Sequence, residues 1–359
     1  MLLSALPALV LANPSPCRAA DGYVPVPGIR LDQAEHTVVA TQGPFRPSPA
    51  ESGDEMAMMD GMAMPGMADT IVQRFTWPVD GWVRGFHLDV CDAEGHAFPE
   101  EVVHHLVLVD LDRRQLWRPI AERLLGIGEE TSDASLPASI GVPVHRGEAM
   151  AIHVMWHNMT GHPIGAYYRL TLQYTPANQV PRPVDVLPVV LEVSPAIGAL
   201  PSYDIPPGRS ERGFDFTVPM DGRVLAVGGH IHDYGKSVAI EDRETGQVLF
   251  RVRSVQSADG KVTGVRRKLL AIRGSGVKLH ANHPYRITAI YDNPTADSVS
   301  GVMAQLATIF APDRSEIWPP VDKADAEYAS DLASLAGADV PVDEAGMLVV
   351  SLARNRGER

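Results

Sequence analysis

Cysteine is nearly absent: Cys17 and Cys91 are the two in 359 residues. Cys17 falls in a stretch that reads as a removable leader, which leaves Cys91 alone, so no intramolecular disulfide can form. A lone cysteine is by default a small buried hydrophobe, and Cys91 is read so. Beyond the leader no apolar run is long enough to span a membrane. Basic charge is also scarce, with 31 Lys and Arg against 44 Asp and Glu and a formal net charge of −13. That balance argues against a nucleic-acid partner, because a phosphate backbone needs a basic face. Long helical periodicity is missing as well; 31 Gly and 30 Pro spread along the chain favour short strands and turns.

The chain opens with an apolar run, Leu2 to Leu11, and reaches Cys17-Arg18-Ala19-Ala20, a small-residue cleavage pattern. Residues 1–20 are therefore expected to be a secretory leader, which places the protein in the periplasm or outside the cell. Residues 21–69 read as irregular. They contain six methionines in the twelve positions 56–67, interrupted by Gly61, Pro65 and Gly66, which break any helix. Thioethers on such a segment suit soft Cu(I).

From Gln73 onward a strand pattern begins and repeats. Phe75-Thr76-x-Pro78-x-Asp80-Gly81 returns 141 residues later as Phe216-Thr217-x-Pro219-x-Asp221-Gly222. A second match, at an offset of 135, aligns His145 with His280, Trp156 with Tyr291, Asn158 with Asn293 and Thr160 with Thr295. Two ordered matches at nearly one offset indicate a duplicated unit. Each copy has short alternating strands between turn signals, so the expected fold is all-β, two tandem antiparallel jelly-roll-like sandwiches. The expected boundaries are 70–175 and 206–312, joined by a Pro-rich linker over 176–205 and followed by a tail over 313–359. A short helix is expected at Ala324 to Leu335 in that tail.

The duplication sorts the histidines. His145 and His280 occur in both copies and read as framework. The others are copy-specific. Val224 to His232 reads as a strand with Val224, Ala226, Gly228, His230 and His232 on one face and Leu225, Val227 and Ile231 on the other. Imidazoles two apart on one strand face stand about 6.6 Å apart at Cα, close enough to chelate one metal. In the first copy His104 and His105 are adjacent inside an apolar strand, where joint ligation needs a twist or bulge. His153, Met155 and His157 share one face of a later strand and offer a third ligand. Met303, on a late strand with Gln305 on its face, offers a thioether to the second copy.

Together, His104-His105 and then His230-x-His232-x-x-Gly235-Lys236 with Met303 resemble the copper type II, ascorbate-dependent monooxygenases. That family includes the peptidylglycine α-hydroxylating and dopamine β-monooxygenases, and the resemblance covers about residues 70–312. It implies two coppers per chain across a solvent-filled cleft. His104 and His105 would hold an electron-transfer copper; His230, His232 and Met303 would hold the catalytic, oxygen-binding one. The family's His-Tyr-x-Asn-Pro run aligns with Met155-Trp156-His157-Asn158-Met159. Either Met155 replaces the family's third imidazole, or His153 or His157 takes over. The animal members are rich in disulfides, and this chain departs from them there. The implied reaction is C–H hydroxylation of a small molecule or peptide by O2, with ascorbate or another electron donor. A second reading is a non-catalytic copper protein that stores or hands on the metal outside the cytoplasm, which the methionine run and Met155 favour. A third is a metal-free carbohydrate- or protein-binding double sandwich.

Overall fold

A computed structural model of the protein describes residues 25–47, 67–69, 72–99, 102–128, 132–158, 160–195, 202–271, 276–314, 318–340 and 342–343. Residues 1–20, the expected leader, and the methionine run as far as Met64 lie outside the described residues. Alternating polar and apolar residues build strands almost throughout. The first half comprises β1 (Gly28–Asp32), β2 (Thr37–Phe45), β3 (Met67–Asp69), β4 (Val72–Thr76), β5 (Gly81–Cys91), β6 (Val103–Arg114), β7 (Ala121–Gly128), β8 (Asp133–Ser135), β9 (Ile140–Val144), β10 (Ala149–His157), β11 (Ala166–Pro176) and β12 (Val184–Asp185). The second comprises β13 (Leu187–Glu192), β14 (Tyr203–Ile205), β15 (Gly208–Phe216), β16 (Gly222–Ile231), β17 (Gly235–Asp242), β18 (Val248–Gln256), β19 (Val262–Val265), β20 (Lys268–Leu269), β21 (Val277–Leu279), β22 (Tyr285–Asn293), β23 (Val299–Val302) and β24 (Ala304–Pro312). The tail adds α1 (Ala326–Ser334), β25 (Gly337–Asp339) and β26 (Val342–Asp343).

These strands make two tandem β-sandwiches. Sheet I has the order β12-β9-β5-β11-β2-β1-β26, with β8 also on β5; sheet II has β25-β4-β10-β6-β7, with β3 on β10. Leu88, Leu106, Leu108, Trp156 and Tyr168 fill the core between them. Sheet III has the order β13-β24-β16-β20, with β21 on β16; sheet IV has β15-β22-β17-β18-β19. Val224, Phe250, Tyr285 and Phe310 are among the side chains that close this second core. Each fully buried side chain of this kind contributes about 1.5–3 kcal/mol. Cys91 is buried against Tyr167, as expected.

The repeat is visible in the pairing itself. β9-β5-β11-β2 in sheet I corresponds to β21-β16-β24-β13 in sheet III, and β4-β10-β6-β7 in sheet II to β15-β22-β17-β18 in sheet IV. The two turns after β10 and β22 use one hydrogen-bond pattern. The Oδ1 of Asn158 accepts from Thr160 N at 3.0 Å and Thr160 Oγ1 at 2.7 Å, and Asn293 repeats both distances with Thr295. His145 and His280 likewise sit 3.8 Å from Asp80 and Asp221, the aspartates of the repeated motif. They are framework residues.

Three expected boundaries are corrected. Residues 21–69 are not all irregular: β1 and β2 lie within them, and β2 is hydrogen-bonded to β11. The expected linker contains β12 and β13, and β13 pairs with β24 as a strand of the second sandwich. β2 and β13 are equivalent strands, and the Pro and Gly around them disguise both. The tail, finally, docks on the first sandwich. Asp325 caps α1 by accepting from Glu327 N and Tyr328 N, the helix agrees with the expected one, and Tyr328 buries its ring and donates to Leu111 O at 2.6 Å. β25 then pairs with β4, and β26 with β1.

Arg118, in the turn between β6 and β7, ties these parts together. It ion-pairs with Glu192 of β13 and with Glu327 of α1, and all three side chains are largely buried. Burial pushes the Glu192 carboxyl above its ordinary range, and Arg118 pulls it back. Arg118→Ala would leave two carboxylates desolvated without their cation, which costs about 3–5 kcal/mol. A lowered urea midpoint measures the loss; an unchanged midpoint would show that the contact contributes nothing.

Candidate metal centre

The first histidine pair owes its geometry to a bulge. β10 pairs with β6 so that Met155 stands opposite His105 and Trp156 opposite Val103, which leaves His104 as the extra residue. A regular strand would send His104 and His105 to opposite faces, but the bulge turns both rings to one side. Their ring centroids are 4.1 Å apart. The three candidates for a third ligand separate by register. Met155 is cross-strand from His105, and the His157 ring lies 5.8 Å from that of His104. His153 stands opposite Val107, one row further along.

The second pair lies on β16 and its continuation. His230 and His232 have ring centroids 4.9 Å apart. His230 is opposite Gln305, and the His232 N–H donates to Met303 O at 3.1 Å, so Met303 holds the position across from His232. Directly opposed residues share a face with Cβ atoms about 4.5–5.5 Å apart, which puts both imidazoles and the thioether on one side of sheet III. Tyr291, which the repeat aligns with Trp156, donates its hydroxyl to the same Met303 carbonyl at 3.0 Å. The Nε2 atoms of His230 and His232 are buried and make no hydrogen bond, although each residue has other interactions.

The expected face of β16 holds only from Ala226 onward. Pairing shifts between Val224 and Ala226, so Leu225 is bulged and Val224 turns into the second core. Leu225 packs instead against the core of the first sandwich, as do Ile309 and Ala311. Ala226, Gly228 and Ala307 therefore share the histidine face, and the Arg267 side-chain stem passes over Gly228.

The larger correction concerns the separation of the two pairs. The family resemblance implies a cleft between them, yet the rings of His105 and His230 are 5.2 Å apart. Five imidazoles thus form one string, His157, His104, His105, His230, His232, that crosses from one sandwich to the other. Among the described residues the one trio of His, Cys, Asp or Glu ligand atoms mutually within 4.8 Å is Asp92, Glu94 and His96. The string therefore offers pairs of imidazoles rather than a closed cage. The Asp92 trio is an exposed turn in which Asp92 accepts from Glu94 N, His96 N and His96 Nδ1, and these bonds account for its geometry.

The donor set fits a copper ion. A ring centroid sits roughly 3 Å from a metal bound through nitrogen, so two imidazoles on a tetrahedral ion lie about 5 Å apart. His230 with His232 and His105 with His230 meet that spacing, whereas His104 with His105, at 4.1 Å, falls short of it. Imidazole with thioether is a soft set that suits Cu(I).

No protein-family model matches the chain, and no curated protein matches it. Among solved structures, PNGF-II aligns at 10% identity and a TM-score of 0.34, over 75% of this chain and 65% of that one. The chain thus spans less than two thirds of that protein's length. The major capsid protein P2 of bacteriophage PM2 aligns at 9% identity and a TM-score of 0.33, over 77% of this chain and 98% of that one. PNGase F from Flavobacterium meningosepticum aligns at 10% identity and a TM-score of 0.27, over 75% and 95%. Likenesses this small carry no argument about chemistry.

Proposed function

We propose that the protein is an exported, copper-dependent monooxygenase that hydroxylates a C–H bond of a small molecule or peptide with O2 and a donor such as ascorbate. The observation that supports this most is the grouping of His230, His232 and the Met303 position on one side of sheet III, with the two rings 4.9 Å apart. Hydroxylation by O2 consumes two electrons, and no side chain activates O2, so a redox metal has to supply that chemistry. His104 and His105, with Met155 or His157, would hold one ion; His230, His232 and Met303 would hold the other. The bulge at His104 aims the first pair, and the Tyr291 hydroxyl fixes the backbone that presents Met303. All five rings are half-buried, which limits competing water while leaving an approach for substrate.

The second reading, a copper protein without catalysis, is favoured by Met155 standing where the family has an imidazole. Ascorbate-dependent O2 uptake by the copper-loaded protein separates the two. The monooxygenase is expected to consume O2 in step with an added substrate, and His230→Ala to lose that activity by about 100-fold or more. Tight copper binding with no O2 uptake across a broad substrate panel would favour storage or transfer instead. A protein that binds no copper would end both readings.

A further inference from the structure

The duplication places a different kind of pocket where the first copper pair would be repeated. In sheet IV, Ile290 pairs with Ser237 and Tyr291 with Gly235, which leaves Lys236 as a bulged residue. Met155 and Trp156 align with Ile290 and Tyr291, so Lys236 and Ser237 occupy the places of His104 and His105. Asp292 occupies that of His157. On the neighbouring strand, His105 and Val107 face Gly128 and Gly126 in the first sandwich. Their counterparts Ser237 and Ala239 face Arg253 and Arg251 in the second. Two glycines in one copy are thus two arginines in the other.

Around these residues lies a cavity of about 320 Å³, lined in part by Arg209, Lys236, Arg251 and Arg253. A second cavity of about 250 Å³ shares Arg251 and Arg253 and adds Arg266 and Lys268. Six cations meet one lining carboxylate, Asp292, in a chain whose formal net charge is −13. Several arginines elsewhere in the protein are seated on acids, as Arg113 is on Glu148 and Arg123 on Asp331. Among the described residues Arg209, Arg251, Arg253, Arg266 and Lys268 form no ion pair, and Lys236 donates to the neutral amide of Gln256 at 2.8 Å. Like charges gathered this closely repel one another unless an anion neutralises them.

We propose that this position is a second ligand site, for a compact phosphate-type polyanion that sets one anionic group in each cavity. The guanidinium fork matches phosphate oxygens two at a time, and Arg251 and Arg253, side by side on one face of β18, can serve both groups. The cavities hold a small ligand rather than a nucleic-acid duplex. The assignment does not depend on the copper reading.

Titration calorimetry of the full chain, without added metal, tests it with inorganic pyrophosphate and orthophosphate as probes. Pyrophosphate is expected to bind about tenfold more tightly than orthophosphate, since it alone fills both seats. Arg251→Ser with Arg253→Ser should abolish that binding, with a urea midpoint that does not fall because repulsion is relieved. Should that variant fail to fold, the exposed single changes Arg209→Ser and Lys268→Ser decide, because each empties one seat and should bring pyrophosphate down to the orthophosphate affinity. Lys323→Ser, an exposed charge in the tail, should change nothing. No pyrophosphate binding, or an equal loss in Lys323→Ser, would overturn the proposal. So would binding to phosphatidic-acid vesicles without binding to pyrophosphate.

Discussion

His232→Ala is expected to lower copper from about two ions per chain to about one and to abolish ascorbate-dependent O2 uptake. The His230 ring is 4.9 Å from the ring removed, and Met303 would lose the imidazole across from it. The variant leaves His104, His105 and Met155 untouched, so their ion should remain. Anaerobic titration with Cu(I) against a competing chelator gives the count. The 5.2 Å contact between His105 and His230 makes a further comparison informative. If the pairs hold separate ions, His105→Ala and His232→Ala each remove one, and the double variant removes both. If His105 and His230 share an ion, His105→Ala disturbs the site of His232 as well. Copper unchanged in His232→Ala would leave no oxygen-activating centre and would end the monooxygenase reading.

Stability is expected to fall steadily between about pH 4 and pH 7, and Asp110→Asn to flatten much of that fall. Asp110 on β6 and Glu122 on β7 are cross-strand partners, both fully buried. Burial pushes the Asp110 carboxyl up to about 7; repulsion from Glu148 adds to this, and Arg113 opposes it. Arg113 stands 3.5 Å from Asp110 but 2.7 Å from Glu148, so its charge is shared. Glu122 is raised as well, chiefly by burial. Below the ordinary carboxylate value both groups are protonated in the folded and unfolded chains, and their contribution is fully present. As pH rises, the unfolded chain releases protons that the folded chain keeps, so stability drops until Asp110 titrates near 7. Each retained proton contributes a slope approaching about 1.4 kcal/mol per pH unit. Urea denaturation of wild type and variant across this range measures that effect; a flat difference would mean that the Asp110 carboxyl is not raised in the folded protein.

Some of this molecule was legible because its signals are local. Strand patterning marked β6, β10, β16 and β24, and the repeated Phe-Thr-x-Pro-x-Asp-Gly motif marked a duplication that the strand order bears out. The shared turn of Asn158 and Asn293 could be read as framework because its hydrogen bonds close within a few residues. β2 and β13 were hidden because Pro and Gly dilute their pattern, and only pairing with β11 and β24 makes them strands.

The sequence by itself determined the fold class, the two copies and which histidines differ between them, since these follow from residue type and spacing along the chain. Tertiary structure alone decided which side chains meet. A single extra residue in a strand reverses the faces beyond it, and the bulges at His104, Leu225 and Lys236 depend on partner strands remote in sequence. The meeting of His105 with His230 depends on how one sandwich packs on the other, which no alternation within a strand encodes. Periodicity sets which way a side chain points relative to its own strand; contacts between sheets set what it finds there.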